Sequence, residues 1–254
     1  MRVHVWNFDL PKEHHLRTAY GLSMRSLDRY HFLGEDKDLR REVFRLYLQD
    51  FATHRISPYN PVGDDWYSVS LSDNVDPEQI EVSVDFSSFD DAATYAFDEL
   101  GFDSFRIWLP HFASGTYQGS NLPTLAGYTW GSDEYEIIYT KLLSAITNHL
   151  ADRGWLNKAY AYWFDEPHGS EDYAMVIQGM DMLSRMEPRL NRLLTEEYDQ
   201  VLAATSSITL ASNTAFASGW RGCGCASSGE GSSAWMLWML LALTGVRRKS
   251  PRPS

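Results

Sequence analysis

The chain has 254 residues, with 22 Lys+Arg against 34 Asp+Glu and a formal net charge of −12 at pH 7. Its 44% hydrophobic and 14% aromatic residues are typical of a globular chain and argue against a disordered, collagen-like or disulfide-stapled one. The acidic balance disfavours a nucleic-acid partner, because phosphates would be repelled.

Membrane, targeting and metal signals are weak. Residues Met1–Leu10 lack a basic segment followed by an apolar one, so we expect no signal peptide, which favours a cytoplasmic location. The apolar run Ala234–Val246 has 13 residues, short of the roughly 20 that span a bilayer, and predicts no membrane partner. Cys223 and Cys225 are too few for a disulfide framework or a structural zinc site, and we interpret them as free thiols. No metal or cofactor is predicted.

The first 202 residues alternate strand-like and helix-like segments, which is the pattern of parallel βα units in an α/β fold. The first strand is expected to be buried. The predicted strands cover residues 16–22, 55–59, 104–109, 159–164 and 190–195. The predicted helices cover residues 38–54, capped by Asp36 or Asp38, 90–100, capped by Asp90, a segment from Ser132 or Asp133 to Gly154, and 170–186.

Composition changes sharply near residue 202. Residues 1–202 hold 17 Lys+Arg and 33 Asp+Glu, whereas residues 203–254 hold 5 and 1, and Ala, Ser and Gly fill 24 of those 52 positions. One interpretation is a flexible linker followed by a short amphipathic helix at Trp235–Leu243. The other, which we favour, is a frameshifted or truncated gene. We therefore predict a domain over residues 1–202 and an irregular tail over 203–254 that adds no strand to the sheet.

Polar residues cluster where the predicted strands end. Ligands bind at the carboxyl ends of strands in parallel barrels and open sheets, so these residues are candidates for one site. For His54 and His111 a structural role is the favoured alternative, and Glu196 with Glu197 could face solvent; for the Asp165–Glu166 pair, function is favoured. The candidate substrate-binding residues are His54, Arg55, Tyr59, Asn60, His111, Trp163, Glu196 and Tyr198, and the candidate catalytic residues are Asp165 and Glu166.

Adjacent carboxyl groups at a strand end have a chemical rationale. Desolvation and like charge hold one of two nearby acids protonated, so one can donate a proton while the other stabilises positive charge. Glycoside hydrolysis needs this division of labour. In its substrate-assisted form the 2-acetamido oxygen of the sugar attacks C1, one acid protonates the leaving oxygen, and its neighbour orients the amide. A bare Asp-Glu is common, however, and is weak evidence by itself.

Three segments resemble the catalytic domain of glycoside hydrolase family 123 and its relatives. They are Arg2–Leu22, His54–Pro61 (HRISPYNP) and Gly154–Thr195, and the most specific motif is YWFDEP at Tyr162–Pro167. The resemblance covers most of residues 1–202. It implies a (β/α)8 TIM-like barrel, of which about the first five βα units are present, and an activity of the β-N-acetylgalactosaminidase type.

Carried over at the YWFDEP motif, the resemblance implies that Glu166 is the general acid/base and that Asp165 positions the acetamido group. The implied partner is a carbohydrate substrate, with neither nucleic acid nor membrane. Two alternatives stay open. One is a non-catalytic or degenerate carbohydrate-binding relative. The other is a metal-dependent hydrolase that uses His54, His111 and the acids, although the sequence lacks an H-x-x-x-H spacing.

Overall fold

The computed structural model describes residues 3–5, 7, 16–196, 209–212 and 215–216. All of them lie in one compact unit, Met1–Gly222, and the second unit, Cys223–Ser254, lies outside the described residues. The two cysteines, the apolar run Ala234–Val246 and the predicted helix Trp235–Leu243 belong to that second unit. No helix within the described ranges is both long enough and apolar enough to cross a bilayer.

Helices and strands alternate along the described chain. The helices are α1 (Met24–His31), α2 (Lys37–Thr53), α3 (Ser87–Ala93), which continues as a π-helix over Thr94–Glu99, α4 (Asp133–Asp152) and α5 (Gly169–Met186), with short 3-10 turns at Pro77–Gln79 and Leu156–Lys158. The strands are β1 (Ser68–Leu71), β2 (Val82–Asp85), β3 (Phe105–Arg106), β4 (Ser114–Thr116), β5 (Gly119–Asn121), β6 (Thr124–Leu125), β7 (Tyr128–Thr129), β8 (Ala159–Ala161), β9 (Phe164–Asp165), β10 (Asn191–Thr195), β11 (Thr209–Ser212) and β12 (Ala215–Phe216).

The four predicted helices are confirmed as α2, α3 with its π-helical extension, α4 and α5. The Asp36 carboxylate caps α2, and the Ser132 hydroxyl caps α4 by accepting a hydrogen bond from a backbone amide. The predicted cap at Asp90 is wrong. Asp90 lies inside α3, because the helix begins three residues earlier, and its carboxylate bonds the His149 imidazole at 2.7 Å instead. Helix α1 and the antiparallel β1–β2 hairpin are absent from the sequence-based prediction.

Eight strands join one curled sheet whose centre is parallel. β3 pairs with β8 and β4 with β9, while β10 runs beside both β8 and β9. The strands predicted at 104–109, 159–164 and 190–195 are thereby confirmed. The strand at 159–164 is interrupted at Tyr162 and Trp163, between β8 and β9. The result is a mixed α/β fold in which the parallel strands form about half of a barrel.

Two extended segments continue the sheet beyond β3 without forming regular strands. Tyr20 makes an isolated parallel bridge to Pro58, and the Arg106 amide donates to the Tyr59 carbonyl at 2.9 Å. The segments predicted at 16–22 and 55–59 therefore lie where parallel βα units require them. Their hydrogen bonding is incomplete because Pro58 has no N–H to donate.

Two expectations about strands are wrong. The first segment is not buried, since Tyr20 is 44% exposed; it lies at an edge of the half-barrel that no further described strand covers. Residues 203–254 do contribute a strand, because β11 pairs in parallel with β10 over three positions. The free edge of β10 offers unpaired backbone groups that a short segment can satisfy. The division of the chain at residue 202 stays a prediction.

The hydrophobic core contains one face of the curled sheet together with α4 and α5. Phe105, Ala161 and Leu194 belong to this face and are fully buried in the same cluster as the apolar sides of the two helices. The buried positions of α4 recur every three or four residues, as an amphipathic helix requires. They are Tyr135, Ile138, Tyr139, Leu142, Leu143, Ile146, Thr147 and Leu150.

Candidate active site

A cleft of about 810 Å³ opens at the carboxyl ends of the parallel strands. Successive side chains of a strand point to opposite faces, so the neighbours of core residues face the cleft. Arg106 follows the buried Phe105, and Leu193 and Thr195 flank the buried Leu194. The remaining lining residues are Ala19, Gly21, Tyr59, Ser114, Gly115, Thr116, Gly119, Ser120, Asn121, Tyr160, Tyr162, Trp163, Phe164 and Asp165.

Asp165 lines this cleft and is bound through one oxygen by two hydroxyl groups. Tyr162 donates a hydrogen bond to its Oδ1, and the Thr195 hydroxyl lies 3.1 Å from the same oxygen. The Tyr162 and Thr195 hydroxyls are themselves 2.6 Å apart. Strand pairing brings the three together, since Asp165 and Thr195 are partners across β9 and β10. The side chain is exposed, so a ligand in the cleft can reach it.

Burial of the Tyr162 ring keeps its hydroxyl protonated. Desolvation raises the pKa of Tyr162 well above 10, and the hydrogen bond to Asp165 raises it further. At neutral pH this tyrosine is therefore a hydrogen-bond donor to the carboxylate and not a base.

Glu166 follows Asp165 directly but does not line the cleft. Its side chain is exposed and its φ angle of 51° lies in the left-handed region, which turns the chain after β9 towards Pro167. No hydrogen bond or ion pair within the described part of the chain involves its carboxylate. The sequence predicts that both acids belong to one site. Of the two, only Asp165 is among the described residues that line the cleft.

Aromatic side chains form much of the cleft. Trp163 is buried against Phe112 and Trp130, with ring centroids 5.4 and 6.4 Å away. Gly179 of α5 allows this packing, because a Cβ there would lie 2.4 Å from the Trp163 ring. On the β3 side, the Arg106 guanidinium lies 4.7 Å above the centre of the Tyr59 ring, a cation–π contact. Aromatic rings therefore form part of the cleft wall.

The structure brings three of the predicted site residues together in the cleft, namely Tyr59, Trp163 and Asp165. Glu196 follows Thr195 and is half-buried, and Tyr198 lies outside the described residues. The other four are not among the described residues that line the cleft: His54, Arg55, Asn60 and His111.

Local contacts account for two of these four residues. The His54 ring nitrogen Nδ1 bonds the Asp50 carbonyl at 2.8 Å on its own helix, and the Asn60 amide donates to the Gly63 carbonyl at 3.0 Å. Both contacts are local and are typical of structural polar side chains, although the Asn60 Oδ1 is buried without a hydrogen-bond partner in the described part of the chain. The binding roles of the four residues stay predictions.

The sequence-based prediction misses several polar side chains of the cleft. Arg106, Tyr160 and Thr195 lie within the predicted strands and not after them, so a search of strand ends passes over them. The signal that could have found them is the period of two, counted from the buried residues of each strand. Thr116 and Asn121 belong to the β4–β5 hairpin, which lies between the strand predicted at 104–109 and the helix predicted from Ser132 or Asp133, where the sequence predicts no strand.

Within the described ranges, no group of three or more His, Cys, Asp or Glu side chains is arranged to hold a metal ion. The two histidines of the metal-dependent alternative, His54 and His111, do not line the cleft with Asp165. The geometry of the cleft thus provides hydroxyl, carboxylate, guanidinium and aromatic groups, a set that can bind a polar ligand with apolar faces.

Comparison with known proteins finds similarity among solved structures. No protein-family model matches the chain, and no curated protein matches it. Among solved structures, the chain is similar to a family 123 glycoside hydrolase from Clostridium perfringens, studied for glycolipid glycan hydrolysis, with a TM-score of 0.50 and 16% sequence identity. The match covers 80% of this chain and 39% of that hydrolase, so the chain spans less than half of its length. The half-barrel is therefore similar in fold to part of a family 123 glycoside hydrolase.

Proposed function

We propose that this chain carries the active site of a glycosidase that hydrolyses terminal 2-acetamido sugars, of the N-acetylgalactosaminide type, by a substrate-assisted retaining mechanism. The observation that carries the proposal is Asp165, exposed at the carboxyl end of β9 in an aromatic cleft, with one oxygen bound by Tyr162 and Thr195. The fold similarity to a family 123 hydrolase and the YWFDEP motif support the same assignment. On this proposal the parallel strands are part of a (β/α)8 barrel.

Asp165 would orient the acetamido group and balance the charge of the cyclic intermediate. The amide oxygen attacks the anomeric carbon, and the amide nitrogen becomes cationic as the oxazolinium ring forms. A carboxylate that accepts a hydrogen bond from this nitrogen interacts with it more strongly as the positive charge grows. The transition state is therefore stabilised more than the bound substrate, and the barrier to ring formation falls. Its place in a cleft of about 810 Å³ suits a terminal sugar and part of the group to which it is linked.

Glu166 would donate the proton to the leaving oxygen and then activate water. Its position directly after Asp165 supports this role, since the leaving group lies on the outer side of a sugar whose acetamido group contacts Asp165. The proton donor must reach the glycosidic oxygen within hydrogen-bond distance in the complex, although apo geometry is commonly looser. Ligand binding is therefore expected to bring the Glu166 carboxyl group to the cleft.

A second candidate function is carbohydrate binding without catalysis. The observation that favours it is the Glu166 side chain, which is exposed and outside the cleft lining while Asp165 lies within it. A degenerate relative would retain the aromatic cleft and the Asp165 contact and lack an effective proton donor.

Two variants assayed on two substrates test the catalytic proposal. Glu166→Gln should abolish hydrolysis of an alkyl 2-acetamido glycoside yet spare a nitrophenyl glycoside, whose leaving group needs little acid assistance. Asp165→Asn should slow both, because it weakens stabilisation of the cyclic intermediate whichever group leaves. A 2-hydroxy analogue should not react, since it lacks the intramolecular nucleophile. Equal losses for Glu166→Gln on both substrates, or turnover of the 2-hydroxy analogue, would contradict the mechanism. Binding without turnover by the unaltered chain would favour the second candidate.

A further inference from the structure

Three side chains close to each other in the cleft form a small hydrogen-bonded group. Tyr162 lies in the interruption between β8 and β9, Asp165 ends β9, and Thr195 ends β10. The Tyr162 hydroxyl contacts both Asp165 Oδ1 and Thr195 Oγ1, and Thr195 Oγ1 also contacts Asp165 Oδ1. Every pair among the three side chains thus lies within hydrogen-bond distance.

The proton count fixes how this group is arranged. An ionised carboxylate only accepts hydrogen bonds, while Tyr and Thr hydroxyls each donate one. Tyr162 gives its proton to Asp165 Oδ1, and Thr195 gives its proton either to that oxygen or to Tyr162. In either arrangement Oδ1 is the carboxylate oxygen that the hydroxyl groups contact, and Oδ2 makes no hydrogen bond within the described part of the chain. One oxygen is held in place while the other is available to a ligand.

The Tyr162 ring supplies the rigidity that this arrangement needs. Asp165 is exposed at a strand end, where an isolated carboxylate would sample several rotamers. Tyr162 is half-buried and lines the cleft, so packing restricts its ring more than it restricts the exposed Asp165 side chain. The hydrogen bond from Tyr162 thereby restricts the rotamers of the exposed Asp165 side chain.

We infer that Tyr162 and Thr195 are positioning residues that hold Asp165 so that its Oδ2 accepts the N–H of the substrate's 2-acetamido group. The inference deepens the proposed function and rests on it. Orientation matters because the amide oxygen must approach the anomeric carbon along one direction, and small displacements of the positioning group reduce the rate strongly. Neither hydroxyl touches the reacting atoms on this inference; both act through Asp165.

A binding experiment tests the inference without requiring turnover. The ligand is the thiazoline of N-acetylgalactosamine, a stable analogue of the cyclic intermediate, and its dissociation constant is measured by calorimetry for the full chain. Tyr162→Phe should weaken binding by about 10- to 100-fold, the usual range for losing a hydrogen bond to a charged group. Thr195→Val should weaken it less, and Thr195→Ser should restore binding because it keeps the hydroxyl.

Two controls separate positioning from a general structural effect. Tyr135→Phe removes another tyrosine hydroxyl that donates to a backbone carbonyl, His111 O at 2.6 Å, outside the cleft, and should leave binding unchanged. In an Asp165→Asn background, Tyr162→Phe should weaken thiazoline binding little further. The effects of two substitutions are not additive when one residue acts through the other. If Tyr162→Phe does not fold, as judged by circular dichroism, the Thr195→Val and Thr195→Ser pair decides.

The outcomes distinguish the inference from the function on which it rests. The positioning role is supported if Tyr162→Phe weakens binding in the unaltered chain but causes no further weakening when Asp165→Asn is already present. Unchanged binding in Tyr162→Phe, or an equal loss in both backgrounds, overturns it while leaving the glycosidase proposal standing. Failure of the unaltered chain to bind the thiazoline contradicts the proposed function itself, and the positioning role is then overturned with it.

Discussion

Strand β10 has a carboxylate near each of its ends, and the two have opposite environments. Glu187 precedes the strand and is only 4% exposed, whereas Asp165 lies beside its last residue and is exposed. In parallel barrels the carboxyl ends of strands carry activity and the amino ends carry stability. The burial of the two carboxylates beside β10 differs in the direction that this rule predicts.

Glu187 has both oxygens occupied. Arg189 donates to Oε1 and Oε2 at 2.8 and 2.6 Å, its amide donates to Oε1 at 3.1 Å, and the Thr147 hydroxyl of α4 donates to Oε2 at 2.7 Å. Asp165 has two hydroxyl contacts on one oxygen only. The fully occupied Glu187 carboxylate links α4 to the connection between α5 and β10. The Asp165 carboxylate, occupied at one oxygen, retains an acceptor for a ligand. Four experiments would sharpen or break this comparison.

The largest expected effect concerns two neighbouring leucines between the two ends. Leu194→Ala should lower the free energy of unfolding by about 2–5 kcal/mol, because Leu194 is fully buried and its removal leaves a cavity. Leu193→Ala, the matched control on the cleft side, should cost clearly less, since Leu193 is only half-buried. Urea denaturation measures both. Equal losses would contradict the division of the strand into a core face and a cleft face.

The next experiment compares the two carboxylates directly. Glu187→Gln should lower the free energy of unfolding by about 1.5–3 kcal/mol, since it removes the charge that holds Arg189 and Thr147. Asp165→Asn should change it by less than about 0.5 kcal/mol, because the site is exposed and the amide oxygen still accepts. A larger destabilisation by Asp165→Asn would show that both carboxylates are structural. Thermal unfolding of the two variants at the same pH provides the measurement.

Acid should reduce the contribution of the Glu187 carboxylate to the free energy of unfolding. Hydrogen bonds from Arg189, and then from Thr147, lower the pKa of Glu187 from 4.5 to about 2, although burial opposes the shift. Because the folded-state pKa is depressed, its stabilisation is present above pH 4.5 and is lost as pH falls towards 2. Unfolding free energies measured across this window should fall more steeply for the unaltered chain than for Glu187→Gln. Identical slopes would count against the ion pair.

The smallest effect separates the two threonines that contact these carboxylates. Thr147→Val should destabilise the fold by about 1 kcal/mol, because one hydrogen bond to the buried Glu187 is lost while the shape is kept. Thr195→Val should have less effect on stability and a greater one on ligand binding. Chemical denaturation and calorimetry on the same preparations decide. The comparison fails if the two substitutions change stability and ligand binding by the same amounts.

Local sequence signals account for much of the fold. The helices α2, α4 and α5 are recognisable because apolar residues recur at helical spacing behind an Asp or Ser cap or before a Pro. The strand at 159–164 is a short run of aromatic and alanine residues, and the strands at 104–109 and 190–195 each contain at least three large apolar residues. These patterns are local, so the sequence alone contains them. The sequence-based prediction misses helix α1, which Ser23 caps but which has only 8 residues and buries two of them, Met24 and Leu27. It also misses the β1–β2 hairpin, whose side chains are all exposed or half-buried.

The sequence by itself determined that the Asp165–Glu166 pair follows an aromatic strand of a parallel α/β chain, because both the period and the motif are local. Only the tertiary structure decided which residues meet. Thr195 reaches Asp165 through the pairing of β9 with β10, across 30 residues of chain. The left-handed backbone at Glu166 separates two adjacent acids. Contacts of this kind depend on strand register and chain direction, which a one-dimensional pattern does not specify.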